Sequence, residues 1–265
     1  MDEIKRISLN YIDELAVRKG FAAPLLVKDY ILTSILYLIK DIEGIYFKGG
    51  TAINKILLDH PRLSEDIDFS ITRSEKEVQK EIQSVLENNG FVESITEGKN
   101  VDGFLRMIVD YNLDSRKGEI FIDLNKRGKL MIPPEVHAIP HFYQEYIPEF
   151  SMKTVGKEEM VAEKVAATIG RNKPRDHYDV YNIIRAGMYI NIGLVKEKCK
   201  SSEDEFSIIK MFNKAKTLKN RWDEDMAPLL AKEIPFQSVM KYLAKHFKLK
   251  EAKEHAKSKK VKKSR

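Results

Sequence analysis

Apolar and polar positions change their rhythm twice along the 265-residue chain. Residues 3–19 place Ile4, Ile7, Tyr11, Ile12 and Leu15 at three- and four-residue steps, which predicts a helix that stops at Gly20. Residues 24–40 open with Pro24 and repeat Val27, Tyr30, Ile31, Ser34, Ile35 and Leu38. That helix is apolar nearly all round, so it belongs in a core. The period then shortens towards two. Gly44–Lys48 reads as a short strand, Gly49-Gly50 as a turn, and Thr51 to about Leu58 as a helix. Asp66–Ile71 alternates strictly and predicts a half-buried strand. Ser74 followed by Glu77 is a capping box that opens a helix over 74–88. Further strands are predicted at 91–96, 104–111 and 119–124, and the stretch 131–150, with its prolines and aromatics, reads as a long connection. From about 156 the period lengthens again, predicting helices at 157–170, 177–187, 203–215 and 236–248, with a short one at Arg221–Met226. No internal repeat is present.

This order predicts an α/β (α+β) fold, with a small mixed, twisted sheet flanked by helices and joined to a helical C-terminal half. The expected division is 1–150 for the sheet-containing core with its N-terminal helices, 151–249 for a helical domain, and 250–265 for a Lys-rich disordered tail. Seven Lys and one Arg against Glu251 and Glu254 give that tail the whole net charge of +6, which leaves residues 1–249 neutral. The tail suits either RNA phosphates or simple solubility; it has no aromatic residue to stack on bases, which favours the solubilising reading over sequence reading. Cys199 is the only cysteine, which excludes an internal disulfide and a Cys-rich zinc site. No apolar run approaches the ~18 residues of a membrane span, and MDEIKRISLN lacks the apolar segment of a signal peptide. The expectation is a cytoplasmic protein with no membrane partner.

Candidate chemistry lies where the rhythm is shortest. Asp66 and Asp68 are two apart on one strand and share a face, while Ile67, Phe69 and Ile71 point to the other. Neighbouring carboxylates repel and are stable together only if water or a cation screens them; a hard divalent cation such as Mg2+ (or Mn2+) takes oxygen ligands of this kind. Two such ions about 3.5–4 Å apart can hold the attacking and leaving oxygens of a phosphoryl displacement. Asp123, in Ile120-Phe121-Ile122-Asp123-Leu124, sits on a later strand. If that strand pairs beside 66–71, it completes a three-carboxylate cluster and supplies a general base. Gly49, Gly50 and Thr51 precede a helix: glycines admit a close phosphate, and the helix N–H groups and the Thr51 hydroxyl add donors. Each part alone is commonplace, but their order is specific. Lys164 shares its helix with apolar Val161, Val165 and Ile169, a position that equally suits a snorkelling surface lysine. Asp176 is spaced as a helix N-cap, and Asp179 suits either the capping turn or a site. Arg171 and Arg175 suit phosphate, RNA or these acids, and His177 reads as structural or surface.

KGGTAINK followed by RLSEDIDFSI resembles the first motif of the polymerase-β-like nucleotidyltransferases, and more narrowly that of the AbiEii/AbiGii toxin branch of type IV toxin–antitoxin systems. Arg62, Ser64, Asp66, Asp68 and Phe69 match in place. A second block, Ala162-Glu163-Lys164, then Arg171, then Arg175-Asp176-His177-Tyr178-Asp179, is similar to that branch's Ala-Glu-Lys helix and Arg-Asp-x-x-Asp segment. The resemblance spans roughly residues 25–190. It implies Asp66, Asp68 and Asp123 as metal ligands and, with Lys164 and Asp179, as the catalytic set. It implies Gly49, Gly50, Thr51, Ser64, Lys164, Arg171 and Arg175 as the nucleotide-binding set, with Lys164 on the triphosphate. The expected reaction moves a nucleoside monophosphate from a nucleoside triphosphate to an acceptor hydroxyl, an RNA or tRNA 3′ end, under control of a cognate antitoxin. The readings that compete with it are a nucleotide-binding regulatory or partner-binding module that transfers nothing, and a transferase acting on a protein or small molecule. The neutral body weighs slightly against RNA, which basic grooves usually bind, although Lys48, Lys55, Arg62, Arg171, Lys173 and Arg175 offer a local patch.

Overall fold

The computed structural model describes residues 4–263. Glu3, read above as the start of the first helix, lies outside the described residues, as do Ser264 and Arg265 of the tail. The chain forms two compact units, the first running to Met160 and including Pro228–Ala231, the second holding Val161–Ala227 and the chain from Lys232 on. The sequence reading divides the chain at 150 instead, and it does not anticipate the return of residues 228–231 to the first unit.

The first unit begins with α1 (Leu9–Lys19) and α2 (Ala23–Ile39). Helix α1 starts at Leu9 rather than near residue 3, because Ser8 is extended and its hydroxyl accepts the Tyr11 N–H at 3.3 Å. It ends at Gly20, whose φ of +78° turns the chain while its N–H closes on the Ala16 carbonyl. Helix α2 is buried nearly all round, as its composition predicts. Then come β1 (Ile45–Lys48), α3 (Gly49–Ala52) with a π-helical turn over Ile53–Leu57, β2 (Asp66–Ile71) and α4 (Glu75–Leu86). Ser74 does precede α4, but its side chain caps no N–H. Instead of completing a capping box, Glu77 approaches Arg73, which pairs with Glu81.

Three ten-residue strands follow: β3 (Val92–Val101), β4 (Phe104–Leu113) and β5 (Arg116–Asn125). The stretch read as a long connection contains β6 (Glu135–Ala138), and β7 (Ser151–Thr154) lies just beyond it. Val136, the one large apolar residue of β6, is exposed, and Met152 is the one apolar residue of β7, so neither strand shows an alternation of large apolar residues. The seven strands form one mixed sheet in the order β3-β4-β5-β2-β1-β7-β6. One face carries Phe47, Ile67, Phe69, Ile120, Ile122, Leu124, Leu105, Met107 and Val109, all fully buried. Helices α2 and α4 pack on strands of this sheet and on each other, with Val78, Ile82 and Leu86 of α4 recurring every fourth residue into the core.

The second unit is helical: most of α5 (Lys157–Ile169), then α6 (Pro174–Arg185), α7 (Ile192–Ser201), α8 (Ile208–Asn213), α9 (Ala215–Met226), α10 (Phe236–His246) and α11 (Leu249–Lys263). Helix α7 is not predicted by periodicity. Helix α11 replaces the expected disorder through Lys263: its Lys, Glu and Ala are good helix formers, and no Gly or Pro interrupts them. Cys199 on α7 is 1% exposed, and burial followed by the charge of Asp204 raises its thiol pKa.

A polar network runs through the apolar core of the first unit. Lys55, in the π-helical turn, pairs with Asp29 of α2 at 2.7 Å, and both side chains are almost fully buried. The Lys55 ammonium also donates to Thr33 Oγ1 at 3.1 Å, and the Tyr143 hydroxyl lies 3.1 Å from Asp29 Oδ2 and 2.9 Å from the Leu26 carbonyl. Two buried histidines flank this pair. Burial, and then the Lys55 charge, lower His60 and His141 from 6.5 to about 4 each. Both rings are therefore neutral in the folded protein at neutral pH, whereas the unfolded chain takes up these protons near 6.5. Their contribution is complete above pH 6.5 and is lost as the pH falls towards 4, where each is worth about 3 kcal/mol. Urea denaturation at pH 7.5, 5.5 and 4.5 should show this decline. The His60→Gln/His141→Gln protein should decline much less, and equal slopes in the two proteins would refute the assignment.

Candidate active site

The strand register brings the acids together. Asp68 of β2 is Cα-paired with Asp123 of the parallel neighbour β5. Asp123 is paired in turn with Arg106 of β4, and Asp68 with Lys48 of β1. Paired residues share a face, so Lys48, Asp68, Asp123 and Arg106 form one row across four strands, with two acids flanked by two bases. Asp66 lies two residues from Asp68 on the same face and is paired with Phe121. The opposite face is the apolar core, which fixes the register: a one-residue slip would bury the acids.

The Gly-Gly-Thr segment is built against these acids. Gly49 has φ +80°, and a Cβ there would lie 2.1 Å from Asp68 Oδ2 and 2.8 Å from Asp68 Cβ. Only glycine tolerates both the left-handed backbone and the overlying carboxylate. Asn54 Nδ2 donates to the Gly50 carbonyl at 2.8 Å, which holds the turn. Thr51 departs from expectation. Its hydroxyl donates to the backbone carbonyl of Asp66 and is 1% exposed, so it ties the loop to β2 rather than offering a donor to phosphate. Arg62 and Ser64 are also buried, and Arg62 Nη1 donates to the Leu63 carbonyl at 3.0 Å.

Asp123 is not an unencumbered ligand. Arg106 grips it with two parallel bonds, Nε to Oδ1 and Nη2 to Oδ2, each 2.7 Å. The guanidinium also lies over the Phe121 ring, 4.8 Å from its centroid. The Asp123 hydrogen bond raises the Arg106 pKa, and the charges of Asp66 and Asp68 add to it. The donor chemistry of Asp66, Asp68 and Asp123 fits a hard divalent cation, and their register fits a shared site. In their present conformations, no three His, Cys, Asp or Glu groups among the described residues stand close enough to hold one ion. Sequence reasoning passes over Arg106: alternation along 104–111 places it on the polar face, but only the β4–β5 register sets it opposite Asp123.

The second unit gathers the other predicted residues into a cluster of its own. The Lys164 ammonium, 4% exposed, lies 3.2 Å from Asp176 Oδ1 and 3.0 Å from Asp179 Oδ2. It is an ion-pair centre and not a snorkelling surface lysine. Asp176 is not the N-cap of α6, since Lys173 holds that position. Asp176 sits inside the first turn, fully buried, and Arg171 binds it through Nε and Nη2 at 2.8 and 2.7 Å. Burial alone would raise the Asp176 pKa, but Lys164 and Arg171 overcome it and hold the carboxylate well below its usual range. Arg175 is half-buried nearby, and burial followed by the charges of Arg175 and Arg171 lowers the Lys173 pKa. His177 is structural: it is fully buried, with Nε2 2.9 Å from the Met211 carbonyl and Nδ1 3.1 Å from that of Lys173.

The family model of the nucleotidyl transferase AbiEii toxin, type IV toxin–antitoxin system, matches residues 30–245, well beyond residue 190 where the motif resemblance ends. No curated protein matches the chain. Among solved structures the chain is similar to MenT4, a nucleotidyltransferase toxin from Mycobacterium tuberculosis H37Rv, with 22% identity and a TM-score of 0.58 over 72% of this chain and 68% of that one. It is also similar to JHP933 from Helicobacter pylori, with 16% identity and a TM-score of 0.60 over 92% of this chain and 99% of that one. A putative nucleotidyltransferase from H. pylori gives 16% identity and a TM-score of 0.59 over 88% and 98% of the two chains. At these identities the structures share the fold. With the family model spanning most of its length and its acids in register, the chain belongs to the AbiEii nucleotidyltransferase toxin family of type IV toxin–antitoxin systems.

Proposed function

We propose that this nucleotidyltransferase is metal-dependent, acts in the cytoplasm, and moves a nucleoside monophosphate from a nucleoside triphosphate to the 3′ hydroxyl of an RNA, with tRNA as the acceptor class. The observation that carries the reading is the in-register placement of Asp68 beside Asp123, with Asp66 on the same face and Gly49 directly beneath the Asp68 carboxylate. A divalent cation, Mg2+ or Mn2+, held by Asp66 and Asp68 and reached by Asp123, supplies charge stabilisation at the α-phosphate and the leaving pyrophosphate. Gly49 and Gly50 leave the backbone open to close approach by the phosphates. Asp123 accepts the proton of the attacking hydroxyl, and Arg106 orients its carboxylate before the site is loaded. Thr51 and Asn54 act through Gly50 and Asp66 by holding the loop and strand in place. Lys164, Arg171 and Arg175 keep the nucleotide-binding role and Asp179 the catalytic role that the family pattern implies, and Asp179 is paired with Lys164 at 3.0 Å. The family implies an antitoxin partner. We propose that it relieves growth arrest caused by RNA modification.

Purified protein incubated with each α-phosphate-labelled nucleoside triphosphate, Mg2+ and total tRNA should transfer label to RNA. The Asp66→Ala/Asp68→Ala protein should transfer none. Label in the protein fraction instead would replace the RNA acceptor with a protein hydroxyl, and no transfer to any acceptor would overturn the reading. Asp123→Asn should lower kcat by roughly 10²–10⁴-fold with its circular dichroism unchanged. Gly49→Ala should lower kcat by roughly 100-fold, because its methyl group displaces Asp68. Near-wild-type turnover in Gly49→Ala would show that the Asp68 position is not critical.

A further inference from the structure

The cross-strand row is electrostatically closed as it stands. Lys48 and Arg106 bracket Asp68 and Asp123, and the Arg106 fork covers both oxygens of Asp123. The Arg106 side chain is 35% exposed and the Asp123 side chain 12%, so the guanidinium sits at the solvent side of a nearly buried acid. The Phe121 ring beneath it fixes the plane of the fork. A divalent cation that takes Asp123 as a ligand meets a cation already bound there: each oxygen keeps a second lone pair, but an ion seated on it lies within a few ångströms of the guanidinium, and the two charges repel. Arginine cannot yield by losing its proton, so it must yield by moving.

We propose that Arg106 is a resident counter-ion of the nucleotide-free enzyme, a positioning residue that competes with the divalent cation for Asp123 and is exchanged for it when the site is loaded. This rests on the reading of Asp66, Asp68 and Asp123 as the metal-binding acids. Until exchange, the fork fixes the orientation of the Asp123 carboxylate and keeps the three acids from closing on one point. The exchange lowers affinity for the bare ion, which biases the enzyme towards an ion delivered with its triphosphate. Once released, the guanidinium keeps its charge beside the loaded site, where phosphate oxygens are its natural partners.

The test is Mn2+ binding to the nucleotide-free protein, followed through the loss of the free aqueous Mn2+ signal in electron paramagnetic resonance up to millimolar ion. Arg106→Gln should bind Mn2+ roughly tenfold more tightly than wild type, because a positive charge a few ångströms from the ion has been removed. Arg106→Lys, which keeps the charge but lacks the fork, should fall between them and guards against a folding defect in the first variant. In an Asp123→Asn background the gain from Arg106→Gln should shrink below about twofold, since the contested ligand is gone. A merely structural arginine would lower the melting temperature without tightening Mn2+ binding. Unchanged or weaker binding in a folded Arg106→Gln protein overturns the inference. Binding that survives Asp66→Asn/Asp68→Asn overturns the underlying site reading instead, and no Mn2+ uptake by any of these proteins overturns both.

Discussion

Two carboxylates at Cα-paired positions on adjacent parallel strands, Asp68 and Asp123, face each other across a strand spacing of ~4.8 Å. Left alone, two charges at that spacing would push the strands apart. Much of the first unit can be read as the set of constraints that keeps both in place. The apolar face of the same strands is fully buried, so the register cannot slip. Arg106 and Lys48 close the row at its two ends. Asp68 rests over a residue with no side chain, and the Thr51 hydroxyl fastens that loop to the Asp66 backbone. The repulsion is thus held in check by the flanking bases and the fixed register.

Much of this was legible in the amino-acid order. The alternation of Asp66–Ile71 and of 119–124 showed which residues faced the core, and helix α2 declared itself by being apolar on every side. The pairing of Asp68 with Asp123 was inferred and not visible, because register is a relation between segments 55 residues apart that local pattern does not encode. Arg106 was missed for the same reason. Thr51 and Asp176 were misjudged differently: each carries a side chain suited to a local role, as a phosphate donor or helix cap, but a buried partner from elsewhere in the fold claims it. Strands β6 and β7 carry one large apolar residue each and so leave no alternation, and the last helix was hidden by its charge.

The two units use buried charge in different ways. In the first, Asp29 and Lys55 form a nearly dry pair whose remaining hydrogen bonds are met by Thr33 and Tyr143. Such a pair adds little net stability, but breaking one side of it is costly, so it fixes the π-helical turn that follows the glycines. In the second, one ammonium serves two carboxylates while Arg171 serves one of them from the surface, being itself about half exposed. That arrangement buries the Lys164 ammonium together with both carboxylates and leaves only the Arg171 guanidinium towards solvent.

The solitary thiol has a practical consequence. Cys199 is 1% exposed and its pKa is raised, so it stays protonated and shielded at neutral pH and reacts poorly with maleimides or nitroxide reagents. The wild-type chain is therefore already a silent background for site-directed labelling. One cysteine placed on the exposed face of α4 and another on α11 would be the only fast-reacting positions. Dye or spin pairs there would report distances between the units directly, with no residue of the acid row or the Lys164 cluster altered to obtain them.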